Sequence, residues 1–147
     1  MRFVDSNTFK REIKVEGFEC DMSGRMRLSS VLREMQEIGN LHLEALGYPK
    51  AKMAKLEMAF LLSKIYITVY KMPYEGQKLI MQTAPKKTKG IYFFRDINFY
   101  DENAQLLIEA HTSWVLVNTH VNRHNVLRPK VFTVPHGCAV DTGYGFN

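Results

Sequence analysis

The sequence predicts an α+β fold, in which one antiparallel sheet of five strands wraps around a single long helix. The first observation is that only one long stretch, from Leu28 to Leu46, repeats its apolar residues at helical spacing. The second is that four segments rich in β-branched and aromatic residues follow it and are separated by short turns. Consecutive strands with short connections pair antiparallel by default, so these segments are expected to form one sheet against the helix.

The helix is predicted from the angular position of its apolar residues. At about 100° per residue, one stripe contains Leu28, Val31, Leu32, Met35, Ile38, His42, Ala45 and Leu46. Ser29 and Ser30 are candidate start signals, and Gly47 followed by Pro49 is a stop. Gly39 lies near the centre of the stripe, where a glycine costs about 1 kcal/mol relative to alanine. We therefore expect another backbone to pass close to Gly39.

The remaining elements are predicted in chain order. Strands are expected at residues 9–20, 60–72, 78–83, 91–100 and 106–117, with a helical turn or loop at 50–56. In the last strand, one face is expected to carry Ile108, Ala110, Thr112, Trp114 and Leu116. Residues 1–8 and about 131–147 show no regular pattern and are expected to be irregular. A five-stranded sheet with one covering helix leaves a face or an edge open, and this favours dimerisation.

Composition indicates one ordinary globular domain spanning residues 1–147. The chain is 46% hydrophobic and 24% charged, and contains no run of roughly 18 apolar residues that would predict a membrane span. Its N-terminus lacks the apolar block of a signal peptide, so a cytoplasmic protein is expected. Cys20 and Cys138 have no Cys or His partners at ligand spacing. We expect two free thiols, no metal site and no cofactor.

The net charge of +5 favours an anionic partner without identifying one. The most concentrated basic run is Lys86-Lys87-Thr88-Lys89-Gly90, which fits either a solvated hairpin tip or an anion-binding site. Nucleic acid is not expected, because no recognition-helix pattern is present and the aromatic residues alternate into strands. No membrane partner is expected either.

Several segments in order resemble the hot-dog fold thioesterases, most closely the first half of the acyl-acyl carrier protein (acyl-ACP) thioesterases. They are FEC at 18–20, LREMQEIGNLHLEALGY in the helix, FFRDINFYD after the basic turn, and SWVLVNTHVNRHNVLRP. The similarity extends over about residues 8–130. It implies a single hot-dog domain that hydrolyses acyl-ACP or acyl-CoA thioesters in fatty-acid or related acyl metabolism.

The acyl-ACP thioesterases that the chain resembles are double hot-dog proteins of about twice its length, with their assigned Asp, Asn and His in the second half. The resemblance therefore implies a homodimer or tetramer whose catalytic groups come from first-half residues. Residues 118–122, Asn-Thr-His-Val-Asn, resemble part of that second-half motif but follow a strand, and we interpret them as a coincidence. The alternative function is a non-catalytic module that binds acyl groups or docks a carrier protein.

The segment Asp21-Met22-Ser23-Gly24 resembles the Asp-x-x-Gly sequence of single-domain hot-dog acyl-CoA thioesterases, whose Asp is the nucleophile or general base. Thioester hydrolysis needs such a carboxylate beside the carbonyl, together with N–H groups that stabilise the oxyanion. The turn at Gly24 and the first turn of the helix could supply those groups. Asp-x-x-Gly is also ordinary turn chemistry, so both interpretations stay open.

His42 and Gln36 are the other catalytic candidates. His42 lies in the apolar stripe, where it either hydrogen-bonds within the core or assists the carboxylate. Gln36 and Asn40 lie off the stripe and could orient water or the thioester.

An acyl chain is expected in an apolar slot between helix and sheet, lined by Leu32, Met35, Met53, Met58, Phe60, Leu62, Phe93 and Trp114. The same residues also fit a simple core. At the mouth of the slot, Lys86, Lys87 and Lys89 would meet either a phosphopantetheine phosphate or an acidic carrier protein.

Overall fold

The computed structural model describes residues 8–119 and 126–127. Its elements are β1 (Phe9–Lys14), a 3₁₀ turn (Gly17–Glu19), α1 (Leu28–Ala45), α2 (Lys50–Lys55), β2 (Met58–Val69), β3 (Lys78–Pro85), β4 (Tyr92–Tyr100), β5 (Leu106–Asn118) and β6 (Val126–Leu127). The strands form one antiparallel sheet in the order β1-β3-β4-β5-β2, and the short β6 pairs with β5. The predicted α+β class, a five-stranded antiparallel sheet around one long helix, is confirmed.

The hydrophobic core lies between α1 and one face of the sheet. Side chains alternate along each strand, so one face carries the buried residues Leu79, Met81, Ile97, Phe99, Ile108 and Ala110. From α1, Val31, Met35 and Ile38 pack against them. The predicted inner face of β5 is buried at Ile108, Ala110, Thr112 and Leu116, and Trp114 is half-buried. Removing these side chains from water holds the helix on the sheet.

The predicted apolar stripe of α1 is wider than the buried one. Leu28 and Leu32 are 49% and 38% exposed, and Ala45 is also exposed. The helix comes closest to β1 and β3, and no strand in the described part of the chain covers the flank that carries Leu28 and Leu32. The prediction for Gly39 was wrong. In the described part of the chain, nothing outside the helix lies within 4 Å of a Cβ built on Gly39, and therefore no backbone passes close to it.

Two local predictions near the start of α1 were also wrong. The residue that precedes the helix is Arg27, which makes no side-chain cap, while Ser29 is exposed and Ser30 lies inside the first turn. The buried Ser30 hydroxyl has no hydrogen-bond partner among the described residues. The strand predicted at 9–20 ends at Lys14, because a reciprocal capping interaction between Glu16 and Glu19 curls the chain into the 3₁₀ turn.

Three predictions concern parts of the chain outside the described residues: the irregular termini at 1–8, of which only Thr8 is described, and about 131–147, the free thiol of Cys138, and His120 to Asn122 of the coincidental motif. Cys20 is a buried free thiol, as expected. No helix of the described segments is long and apolar enough to cross a membrane.

Candidate active site

A tight loop at residues 20–26 leads into α1 and carries Asp21. Cys20 and Met26 form an antiparallel bridge that closes the loop at its base. Within it, the Asp21 N–H donates to the Arg25 carbonyl oxygen at 2.8 Å, and the Gly24 N–H donates to the Asp21 carbonyl oxygen at 3.0 Å. Gly24 has a φ of +83°, a left-handed conformation that favours glycine. Because its N–H is already bonded within the loop, Gly24 shapes the turn and leaves oxyanion donation to other groups.

The Asp21 side chain is exposed, and its two oxygens differ in their contacts. Oδ1 accepts hydrogen bonds from the Ser23 hydroxyl at 2.6 Å, the Ser23 N–H at 2.9 Å and the Arg25 N–H at 3.2 Å. Oδ2 has no hydrogen-bond partner in the described part of the chain. The hydroxyl of Ser23 and the backbone of Arg25 lower the pKa of Asp21 below its ordinary value. Asp21 is therefore a carboxylate at neutral pH, with one oxygen directed to solvent.

The turn-capping interpretation of Asp21 describes the contacts of Oδ1 correctly. The hairpin between β4 and β5 repeats the same pattern at Asp101, whose Oδ1 accepts from the N–H groups of Asn103 at 2.8 Å and Gln105 at 2.9 Å. Asp101 also exchanges backbone hydrogen bonds with Ala104 and Gln105, as Asp21 does with Gly24 and Arg25. The hydrogen bonds alone therefore do not distinguish a catalytic Asp21 from a structural one.

What distinguishes Asp21 from Asp101 is the element that follows. The loop of Asp21 runs directly into the N-terminus of α1, an 18-residue helix without a side-chain cap. The Arg27 guanidinium holds this junction by donating to the carbonyl oxygens of Phe18 at 2.6 Å and Cys20 at 2.9 Å. The N–H groups in the first turn of a helix point outward from its N-terminus, and they carry partial positive charge. The loop that carries the Asp21 carboxylate thus precedes a helix start without a side-chain cap, where the Ser30 N–H donates to the Arg27 carbonyl oxygen at 3.0 Å.

His42 makes a hydrogen bond within the core, as one of the two interpretations of this residue predicted. It is 2% exposed, its ring stacks on Phe9 at 5.3 Å, and Nδ1 lies 2.9 Å from Nη1 of Arg95. Since a guanidinium can only donate, Nδ1 is the acceptor and the proton of the neutral ring is on Nε2. Burial, and secondarily the positive charge of Arg95, lower the pKa of His42 to about 4. The imidazole is therefore neutral at physiological pH.

Of the three predicted catalytic residues, Asp21 lies in the loop before α1, whereas Gln36 and His42 lie on the helix. His42 lies 14 residues after Leu28, which corresponds to about 21 Å along the helix axis. Gln36 is exposed in the middle of the helix, and Asn40 is half-buried. A single chain does not bring Asp21 and His42 together, and the catalytic roles of these residues stay predictions.

Arg95 lies on the helix-facing side of β4 and was not predicted as a site residue from the sequence. Besides His42, its guanidinium contacts the Thr83 hydroxyl at 3.0 Å. Its carbonyl oxygen accepts from the Thr112 hydroxyl at 2.7 Å, which in turn accepts from the Trp114 indole N–H at 2.7 Å. Burial lowers the pKa of Arg95 to about 10, so it remains a cation at neutral pH.

A signal for Arg95 was present in the alternation of the strand. In FFRDINF, Arg95 shares its face with Ile97 and Phe99, two residues that are expected in the core. Strand periodicity thus indicates a buried arginine, although it does not identify His42 or Thr83 as its partners.

The residues of the predicted apolar slot separate into three groups. Met35 belongs to the main core beneath α1 and is 4% exposed. A second cluster near α2 contains Met53, Met58, Leu116, Tyr48, Phe60 and Phe93, with the last two rings edge to face at 4.9 Å. Leu32 and Leu62 are exposed, and Trp114 is half-buried. Only the second cluster keeps several of the predicted lining residues together.

The three lysines of the basic tip also differ in their surroundings. The Nζ of Lys86 lies 3.5 Å from Oδ2 of Asp96, with only 15% of the Lys86 side chain exposed, so part of its charge is compensated within the protein. Lys87 and Lys89 are exposed on the loop between β3 and β4. No group of three His, Cys, Asp or Glu residues in the described segments could hold a metal ion.

Comparison with solved structures identifies the fold. An acyl-ACP thioesterase from Bacteroides thetaiotaomicron superposes with a TM-score of 0.73 at 19% identity, covering 82% of this chain and 49% of that one. The 12:0-ACP thioesterase from Umbellularia californica gives 0.71 at 18% identity, covering 84% and 48%. A 1,4-dihydroxy-2-naphthoyl-CoA thioesterase from Synechocystis gives 0.71 at 20% identity, covering 82% and 89%. These similarities confirm the hot-dog fold.

The chain spans about half the length of the two acyl-ACP thioesterases and most of the length of the CoA thioesterase. No curated protein sequence matches it. The sequence model of the acyl-ACP thioesterase N-terminal domain matches residues 6–133, well over half of the chain. The chain therefore belongs to the acyl-ACP thioesterase family, as a match to its N-terminal domain.

Proposed function

We propose that this protein is a cytoplasmic thioesterase that hydrolyses acyl-ACP or acyl-CoA substrates as a homodimer, with Asp21 as its catalytic carboxylate. The observation that carries the proposal is the ionised, exposed Asp21 in the loop that leads into the N-terminus of α1, which has no side-chain cap. Membership of the acyl-ACP thioesterase family supports thioester chemistry. Fold similarity to both acyl-ACP and acyl-CoA thioesterases leaves the two carriers as alternatives.

In the proposed reaction, the thioester carbonyl lies between Asp21 and the start of α1. The free Oδ2 accepts a proton from water as the water oxygen bonds to the carbonyl carbon, and the first-turn N–H groups stabilise the resulting oxyanion. Collapse of the tetrahedral intermediate breaks the C–S bond. The sulfur leaves with the electron pair and takes the proton from Asp21, which returns to its ionised form. Direct attack by Oδ2 on the carbonyl carbon is the alternative route.

The structure offers a matched pair of variants for testing Asp21. Asp21→Asn and Asp101→Asn change the same capping pattern in two similar turns, so both should affect folding in a similar way. We expect only Asp21→Asn to abolish hydrolysis of acyl-CoA and acyl-ACP substrates, measured by thiol release with circular dichroism as the folding control. Unchanged turnover in a folded Asp21→Asn variant would refute the assignment.

The homodimer is supported by β2, which forms one edge of the sheet. It is 12 residues long and pairs only with β5 among the described strands. Its exposed apolar residues include Leu61 at 52% and Tyr66 at 57%. A long apolar edge strand is a site where another strand pairs, because its outward N–H and C=O groups are unbonded. We propose that a second copy covers this edge.

The rival function is a non-catalytic module that binds acyl groups or docks a carrier protein. It is favoured by the length of the chain, which spans about half of the acyl-ACP thioesterases that it matches. Incubation with an acyl thioester distinguishes the two functions. The enzyme releases free thiol, whereas the binding module retains the intact thioester.

A further inference from the structure

Three charged side chains meet where β1, the 3₁₀ turn and α1 come together, close to the loop of Asp21. Nη1 of Arg11 lies 3.2 Å from Oε1 of Glu34, and the Glu34 carboxyl is also hydrogen-bonded to that of Glu19. Glu19 is 4% exposed, and 19% of the Glu34 side chain is exposed. The cluster thus places two largely buried carboxyl groups beside a single cation.

A hydrogen bond between two carboxyl groups requires that one of them carries a proton. Burial, the hydrogen bond to Glu19, and the negative charges of Glu19 and Glu37 raise the pKa of Glu34 to about 7, while Arg11 opposes the increase. Glu34 therefore retains its proton up to neutral pH. Above that, two adjacent negative charges face one arginine.

Glu19 connects this pair to the loop of Asp21. Its carboxyl accepts from the Glu16 N–H at 3.0 Å, and its carbonyl oxygen accepts from the Arg27 N–H at 2.8 Å. The Arg27 guanidinium binds the carbonyl oxygens of Phe18 and Cys20, the two neighbours of Glu19. Glu19 is thus part of the base of the loop, and a movement of Glu19 moves the segment that carries Asp21.

We propose that Glu34 is a positioning residue for the proposed hydrolysis: the proton that Glu34 carries in its hydrogen bond to Glu19 holds the Asp21 loop against α1, and loss of this proton loosens the loop. The inference rests on the proposed function of Asp21. Besides Glu19, the charged groups that face Glu34 are Arg11 from β1 and Glu37 from α1. Helical spacing indicates that Glu34 lies at the border of the buried stripe, since it is three residues after Val31 and four before Ile38.

Amide hydrogen exchange tests the inference without relying on activity. We expect the amides of residues 17–27 to exchange several-fold faster at about pH 8.5 than at about pH 6, after correction for the intrinsic effect of pH. Glu34→Gln carries a neutral amide that cannot ionise and should abolish this increase. Glu44→Gln, an exposed position on the same helix, should behave like the wild type. An unchanged rate in the wild type, or an increase that persists in Glu34→Gln, would overturn the inference.

The pH profile of turnover provides the second readout. The kcat/KM of the wild type should fall as pH rises above about 7, whereas Glu34→Gln should retain its activity there. An alkaline fall that is identical in both proteins would contradict a positioning role. If the protein cleaves no thioester at any pH, the proposed function fails, and the exchange experiment still decides whether the Glu34 proton holds the loop.

Discussion

Replacing His42 by asparagine should change how stability depends on pH. The Oδ1 of asparagine can take the place of Nδ1 and accept the hydrogen bond of Arg95, but the amide does not titrate. In the wild type, burial beside Arg95 lowers the pKa of His42 from 6.5 to about 4. The unfolded chain therefore binds a proton that the folded protein excludes, and the stabilisation is lost as pH falls from 6.5 through 4.

The magnitude follows from the size of the shift. A pKa difference of 6.5 − 4, or about 2.5 units, corresponds to a maximum of about 3 kcal/mol. At about pH 4.5, most of this, about 2.5 kcal/mol, is already lost, whereas at about pH 7 almost none is. Relative to His42→Asn, the wild type should therefore lose about 2.5 kcal/mol of unfolding free energy between these two pH values.

Urea unfolding followed by circular dichroism measures this difference, provided that the slope of free energy against urea is the same in both proteins. Comparing the variant with the wild type cancels the titration of all other groups that the substitution does not disturb. If the difference in unfolding free energy stays constant from about pH 7 to about pH 4.5, His42 titrates equally in the folded and unfolded states. The buried contact with Arg95 would then be refuted.

Three further results are expected from surface and helix positions. Gly39→Ala should raise the unfolding free energy by about 1 kcal/mol, because a Cβ there meets only open space; a loss of stability would show that a second copy packs against it. Leu61→Lys combined with Tyr66→Lys should give a monomer in light scattering, and an intact dimer would place the interface elsewhere. Lys87→Glu combined with Lys89→Glu should lower kcat/KM for acyl-ACP and weaken its dependence on salt, whereas an unaltered salt dependence would exclude this loop from carrier binding.

The elements of the fold could be predicted from the sequence because periodicity reports burial. The expected helix from Leu28 to Leu46 differs from the observed one by a single residue, and four of the five strands overlap their predictions closely. The error at residues 9–20 has a local cause. Its apolar residues alternate loosely enough to resemble one strand, yet the capping interaction between Glu16 and Glu19 diverts the chain after Lys14.

The polar contacts could not be predicted in the same way, because they depend on which side chains meet across the core. Arg95 and His42 are 53 residues apart in the chain, and Arg11 and Glu34 are 23 apart. Periodicity places each of them on an inward face or at its border, but the pairing depends on where α1 lies over the sheet. The predicted catalytic carboxylate was easier to locate, since the loop of Asp21 is formed by neighbours in sequence.

The two perturbed groups on α1 act in opposite directions over the same range of pH. Between about 4.5 and 6.5, the unfolded chain binds the extra proton at His42, whereas the folded protein retains the extra proton at Glu34. Each group alone gives a slope of about 1.4 kcal/mol per pH unit, and the two slopes cancel. These groups therefore leave the wild type with a flat profile over this range. His42→Asn should become less stable as pH rises, Glu34→Gln should become more stable, and the double variant should be flat again.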